Sequence, residues 1–227
     1  MKQVSTVGIV LARVDYGEAD RIITVLTSHG KLALMAKGVR RPKSKLAGGI
    51  ELFSVSELVY IPGKGSVSSL VSSRLTTHYG EIVKDITRTM LGYELIALVH
   101  KITEDDADDG YFETLQQTFV ALNDATIPKE LVRLWCEAQL LKLTGTMPNL
   151  STDVTGAPLK KEVRYNFDFD KTAFKEHAAG AFGTNEIKYL RLLFAGLSPK
   201  TLTQVEGAHT ERIAPLMLAL AQYHLAV

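Results

Sequence analysis

The sequence predicts an α+β protein, a small five-stranded barrel followed by a mostly helical domain, and three observations lead there. Apolar residues up to Gly80 fall in short β-branched runs separated by polar or glycine turns. Beyond Gly80 the apolar spacing becomes that of helix faces. Charge divides at the same place: Met1–Gly80 holds 11 basic and 5 acidic residues, a net of +6, and Glu81–Val227 holds 15 and 20, a net of −5. The implied domains are 1–80 and 81–227.

The elements follow in order. Thr6–Val14 (TVGIVLARV) is apolar and β-branched, and YGEAD after it is a polar turn. Arg21–Leu26 is a second strand, broken by Ser28–His29–Gly30, and Lys31–Ala36 alternates as a third. Gly38–Gly49 is a loop rich in Gly, Pro and Lys. Leu52–Ile61 and Val67–Thr77 form a hairpin about Pro62–Gly63–Lys64–Gly65. Closing five such strands removes exposed sheet edges, which points to an OB-fold barrel. In Glu81–Thr103, Ile82, Ile86, Met90, Leu91, Leu95 and Leu98 have the spacing of one helix face. Glu104–Gly110 is an acidic turn. Tyr111–Leu122 and Pro128–Leu143 are helices, the second with Pro128 in its first turn. Residues 145–170 lack a helical period and are expected to be irregular, with a short hairpin about Val163–Phe169. Asn185–Phe194, Pro199–Val205 and Glu211–Leu225 are the closing helices.

Composition narrows the class. With 46% apolar and 22% charged residues the chain is an ordinary well-cored protein. The single cysteine, Cys136, excludes a disulfide framework and a cysteine-based zinc site. Val4–Leu11 lacks the cleavage site of a signal peptide, and no apolar stretch approaches the roughly 18–20 residues that span a bilayer. A soluble, cytoplasmic protein is expected.

The local charge bias carries the functional reading. Arg21–Ile50 contains seven basic residues (Arg21, Lys31, Lys37, Arg40, Arg41, Lys43 and Lys45) and no Asp or Glu. A cationic face on a chain of net charge +1 suits a polyanion. In Lys37–Gly49 (KGVRRPKSKLAGG) the arginines supply planar phosphate forks, the lysines mobile point charges, and the glycines close backbone approach. Such contacts read no base sequence and weaken with salt. The plainer alternative is a solvated loop. Aromatic platforms are few: Tyr16, Phe53, Tyr60 and Tyr79 precede residue 80, with Phe53 a core candidate and Tyr16 placed either to stack a base or to pack on the barrel.

Catalytic constellations are missing from the sequence. The six histidines are unpaired in spacing, and neither a nucleophile elbow nor a phosphate loop occurs; Pro62–Ser66 is a turn. Asp105, Asp106, Asp108 and Asp109 form an acidic turn that reads as solvated rather than as a metal site. Glu18 and Asp20 read as orienting the basic turn rather than as an acid–base pair. A binding protein fits better than an enzyme.

Tyr16–Thr27 (YGEADRIITVLT), His29–Leu32 (HGKL) and Ala36–Leu46 (AKGVRRPKSKL) resemble, in order and spacing, the N-terminal signature of the RecO family of recombination mediators. The resemblance implies an OB-fold, a helical C-terminal domain, binding of single- and double-stranded DNA, strand annealing, and recombinase loading with RecR on DNA coated by single-strand binding protein. Nucleoid association goes with it. Carried onto this chain, it puts Arg21, Lys31, Lys37, Gly38, Arg40, Arg41, Lys43 and Lys45 on the DNA path, with Arg13 and Arg74 as weaker flanking candidates. Many members hold zinc on four cysteines in the C-terminal domain. Here Leu143–Leu150 (LTGTMPNL) precedes Thr152–Gly156 (TDVTG), with threonines where the first two cysteines would be, so zinc is expected absent and packing by Phe167 and Phe169 is expected instead. The acidic tail of single-strand binding protein is an expected partner, with Lys129, Arg133, Lys188 and Arg191 as unassigned cations on the helices. The competing class is an OB-fold RNA-binding or ribosome-associated factor, and a hydrolase using the acidic turn is a third.

Overall fold

The computed structural model describes residues 2–103, 110–206 and 210–225. The chain divides into two compact units, Met1–Ala125 and Thr126–Val227. Residue 80 therefore marks the change from strand to helix, while the first compact unit continues through two helices.

In the first unit, β1 (Val4–Tyr16), β2 (Asp20–Thr27), β3 (Gly30–Ala36), β4 (Ser54–Ile61) and β5 (Val67–His78) close in the order β1-β2-β3-β5-β4. Closure depends on the length of β1. Its first half pairs with β4 and its second with β2, and a register shift between Val10 and Ala12 turns the strand between them. A short parallel pairing of β3 with β5 seals the barrel. Val10, Ile23, Val25, Leu34, Leu58 and Leu70 fill the interior, joined by Val39 and Ile50 from the two ends of the long loop.

Helices α1 (Ile86–Ile102) and α2 (Gly110–Asn123) pack against this barrel. The predicted helix face is only half right. Leu91, Leu95 and Leu98 are buried, but Ile86 and Met90 are 71% and 57% exposed. The reason is phase: Ile82 belongs to a separate 3-10 turn, and Asp85 then caps α1 by accepting the Thr87 and Arg88 amide hydrogens. Counting from Leu95, the buried stripe runs through Leu91, Gly92, Ile96 and Val99, on the opposite side from Ile86. Of the acidic turn expected at Glu104–Gly110, residues 104–109 lie outside the described residues.

The second unit begins with α3 (Lys129–Leu143), for which Pro128 is the capping residue just before the first turn rather than a member of it. Residues 145–170 are more regular than expected. Strands β6 (Asn149–Asp153), β7 (Tyr165–Asp168) and β8 (Ala173–Glu176) form a sheet in the order β6-β8-β7. The hairpin pairs Tyr165 with Glu176 and Asp168 with Ala173, so it turns through Phe169–Thr172 and is not centred on Val163–Phe169. This changes which rings are buried. Phe174 is the centre, meeting Tyr165, Phe167 and Phe182 edge-on at centroid distances of 6.2, 5.3 and 5.5 Å. Phe167 is half-buried and Phe169, in the turn, is exposed. Helices α4 (Thr184–Phe194), α5 (Pro199–Leu202) and α6 (Thr210–His224) complete the unit. The buried Glu186 carboxylate joins α4 to α6, accepting from the Gly183 amide and from Arg212, each at 2.9 Å. No helix among the described residues is long and apolar enough to cross a membrane.

Candidate nucleic-acid interface

The basic loop between β3 and β4 is fastened to the barrel along its length. Gly38 adopts φ +64°, a conformation glycine takes without penalty, and its amide donates to the Asp20 carboxylate at 2.7 Å. Two residues on, the Arg40 amide donates to the Ala19 carbonyl at 2.9 Å and its guanidinium to the Gly17 carbonyl at 3.3 Å. Val39 is buried between these tethers. At the far end Ser73 on β5 donates to the Leu46 carbonyl at 3.0 Å. Gly49 presses on the same serine so closely that an added Cβ would lie 2.5 Å from Ser73 Cβ. The loop is thus a shaped ridge that carries its cations at defined places.

Eight of the ten predicted residues separate into two groups, with Gly38 in the tether above and Lys31 apart. Lys37, Arg41, Lys43 and Lys45 are exposed and, among the described residues, have no carboxylate within salt-bridge reach. The arginines flanking them are engaged. Asp15 receives Arg21 at 2.8 Å and Arg40 at 3.4 Å, Glu51 receives Arg13 at 2.8 Å, and Glu57 takes Arg74 through two hydrogen bonds of 3.0 and 3.1 Å. The hydrogen bond from Arg21, helped by the charges of Arg40 and Arg13, holds the Asp15 carboxyl below the usual carboxylate range. Of the two acids proposed to orient the turn, Asp20 does so by receiving Gly38. Asp15, Glu51 and Glu57 were missed, and only Asp15 had a legible signal: in a hairpin turning at Gly17–Ala19 it falls opposite Arg21.

Lys31 serves a different neighbour. Its ammonium donates to the His100 carbonyl near the end of α1, at 3.2 Å. Partial burial, and then the charge of Lys31, push the His100 imidazole below its ordinary value. The fold therefore favours neutral His100, and the unfolded chain binds the proton more readily below about pH 6.5. Stability is expected to be complete above that pH and to fall on acidification through the window beneath it. Urea unfolding at about pH 7.5 and about pH 5.5 measures this, and His100→Gln should flatten the dependence; an unchanged pH slope in the variant would assign it elsewhere.

The segment matching the family's zinc position offers no ligand set. The Asp153 carboxylate is occupied by the Thr155 amide at 2.8 Å, the Thr155 hydroxyl at 2.6 Å and the Ala157 amide at 3.1 Å, an Asx turn closed within the chain. Threonine hydroxyls are poor zinc donors, and among the described residues no three His, Cys, Asp or Glu side chains cluster.

Comparison with known proteins adds the following. The family model "Recombination protein O N terminal" matches residues 1–79, and "Recombination protein O C terminal" matches residues 83–225. The DNA repair protein RecO of Halalkalibacterium halodurans is 34% identical over 150 residues, covering 65% of this chain and 58% of that protein. RecO of Moorella thermoacetica is 33% identical over 145 residues, covering 63% and 53%. RecO of Desulfatibacillum aliphaticivorans is 30% identical over 154 residues, covering 66% and 60%. The matched stretches thus span little more than half of each relative's length.

Proposed function

Because the chain belongs to the recombination protein O family, we propose that it is a non-catalytic mediator of DNA repair whose barrel grips single- and double-stranded DNA by the phosphates. The observation that carries this reading is the tethered ridge from Lys37 to Lys45, with four cations presented to solvent and, among the described residues, no carboxylate paired with them. Two complementary strands repel each other through their phosphates. A surface that neutralises several phosphates at once lowers that barrier and lets the strands pair. Arg21 and Arg40, already held by Asp15, shape the ridge, and Arg13 and Arg74 flank it. We place the protein in the cytoplasm at the nucleoid, working without zinc. RecR and the acidic tail of single-strand binding protein are its proposed partners, the tail docking on the helical region.

Strand annealing tests the reading. Two complementary fluorescent oligonucleotides coated with single-strand binding protein are mixed with and without the full chain, and pairing is followed in time. Faster pairing is the expected result. Tight binding of structured RNA without any acceleration would replace the mediator by the RNA-binding alternative.

A further inference from the structure

Helix α1 is apolar on two sides. Leu91, Leu95 and Val99 are buried on one of them. On the other, Ile86, Met90, Tyr93 and Ala97 recur at the spacing of a single helix face, and all four are exposed. Ile86, Met90 and Tyr93 are 71%, 57% and 49% exposed. Together they leave on the order of 400 Å² in water, as much as the largest apolar patch of an ordinary monomer. A surface helix of a monomer carries polar residues there. No charge interrupts the stripe. Arg88 is turned away from it, its guanidinium donating to the Leu122 and Asp124 carbonyls at 2.8 and 3.3 Å. Tyr93 is held from beneath by Phe53, at a centroid distance of 5.2 Å. An aromatic ring fixed on one side and open on the other docks with little loss of rotamer freedom.

We propose that this face is a self-association surface, on which α1 of a second copy of the chain packs antiparallel. Shape, charge and area select that occupant. With a two-fold axis passing between Met90 and Tyr93, each Met90 lies opposite Tyr93 of the second copy and each Ile86 opposite Ala97. The most exposed aliphatic group thus meets the smallest side chain of the stripe. The last turn of α1 carries Lys101, and its first turn is capped by the Asp85 carboxylate. Antiparallel packing sets each basic end beside an acidic one and opposes the helix dipoles, whereas parallel packing would set like ends together. Glu94, on the flank, falls level with Thr89 of the second copy and not with a carboxylate. The stripe supplies about half of the ~800 Å² that each partner gives a standard interface, so with its rim it makes a weak, reversible dimer. Two chains paired in this way present two basic ridges related by a two-fold axis. Strands lying on them would run with opposite polarity, as complementary strands do; this consequence, unlike the dimer, rests on the DNA-binding reading above.

Sedimentation velocity of the full chain, without DNA, over about 1–200 μM tests the pairing. Wild type is expected to pass from monomer to dimer as its concentration rises. Ile86→Lys and Ala97→Glu each set a charge against an apolar neighbour and should weaken the dimer at least about 10-fold. Both sites are exposed, and circular dichroism verifies that the variants fold. The double variant Ile86→Lys/Ala97→Glu sets each lysine opposite a glutamate of the second copy and should recover the dimer. Within one chain the two positions are about three turns apart and cannot pair. A wild type that stays monomeric throughout overturns the interface and leaves the stripe to a helix of another protein. A dimer untouched by the single variants lies on a different surface, and a double variant as weak as the singles overturns the antiparallel register. If wild type dimerises as expected yet binds no DNA by anisotropy, the dimer stands and the DNA-binding reading falls alone.

Discussion

Replacing Arg41, Lys43 and Lys45 together by alanine is expected to weaken single-stranded DNA binding roughly 10- to 100-fold near physiological salt. The same variant should flatten the log–log salt dependence by about 2, since each single-strand phosphate contact contributes about 0.7 to the slope. All three side chains are exposed, and no carboxylate of the described residues pairs with them. Removing them therefore takes away charge that is available to a ligand and no contact that holds the fold. The flanking arginines provide the contrast. Arg74 is bound twice by Glu57, so Arg74→Ala should change affinity far less than the triple variant. Arg40→Ala has a mixed effect, because Arg40 also braces the turn through the Gly17 carbonyl. Comparing anisotropy titrations of the three variants with circular dichroism to verify folding decides the matter. Equal losses in the triple variant and in Arg74→Ala would mean that the phosphates lie across the outer barrel wall instead of along the ridge.

That contrast shows what could be read from the sequence and what could not. The barrel was legible because its strands are short, β-branched and separated by glycine turns, all of it local chemistry. The basic ridge was legible for the same reason, as a run of cations. What a linear reading hides is the return of acids to the run. The acid-free window from Arg21 to Ile50 ends at Glu51, whose carboxylate folds onto Arg13, and begins after the hairpin that sets Asp15 against Arg21. The α+β plan placed the helices but carried the α1 face one turn too far back, since Ile82 lies in a separate 3-10 turn and the buried stripe begins at Leu91, leaving Ile86 and Met90 exposed. The small sheet of the second unit was least legible. Its strands are four or five residues long, and β6 joins β8 in a parallel pairing with no turn signal between them. Tyr16, which the sequence places either to stack a base or to pack on the barrel, is 56% exposed.

Phe53→Ala is expected to destabilise the first compact unit by about 3–5 kcal/mol, a large part of the stability of an ordinary domain. The ring is 1% exposed and meets Tyr93 of α1 and Phe119 of α2 at centroid distances of 5.2 and 5.6 Å. It is seated against the backbone of Gly92, where an added Cβ would come within 2.5 Å of its Cε1. One side chain thus ties both helices to the start of β4, and its own carbonyl accepts the Tyr79 amide at 3.0 Å, which fixes the end of β5 as well. The backbone offers no compensation for losing the ring. Phe53 sits at φ +55°, and alanine is strained there much as phenylalanine is, so the variant loses the packing and keeps the strain. Urea unfolding followed by far-ultraviolet circular dichroism reads the change, and Phe53→Leu, which refills part of the cavity, should recover some of it. A loss below about 1 kcal/mol would mean that the surrounding rings close over the vacancy. Because Phe53 follows Glu51 and Leu52 at the end of the basic loop, its removal should also loosen the Arg13–Glu51 anchor. DNA affinity would then fall in Phe53→Ala without the loss of any cation, and with a salt slope close to wild type.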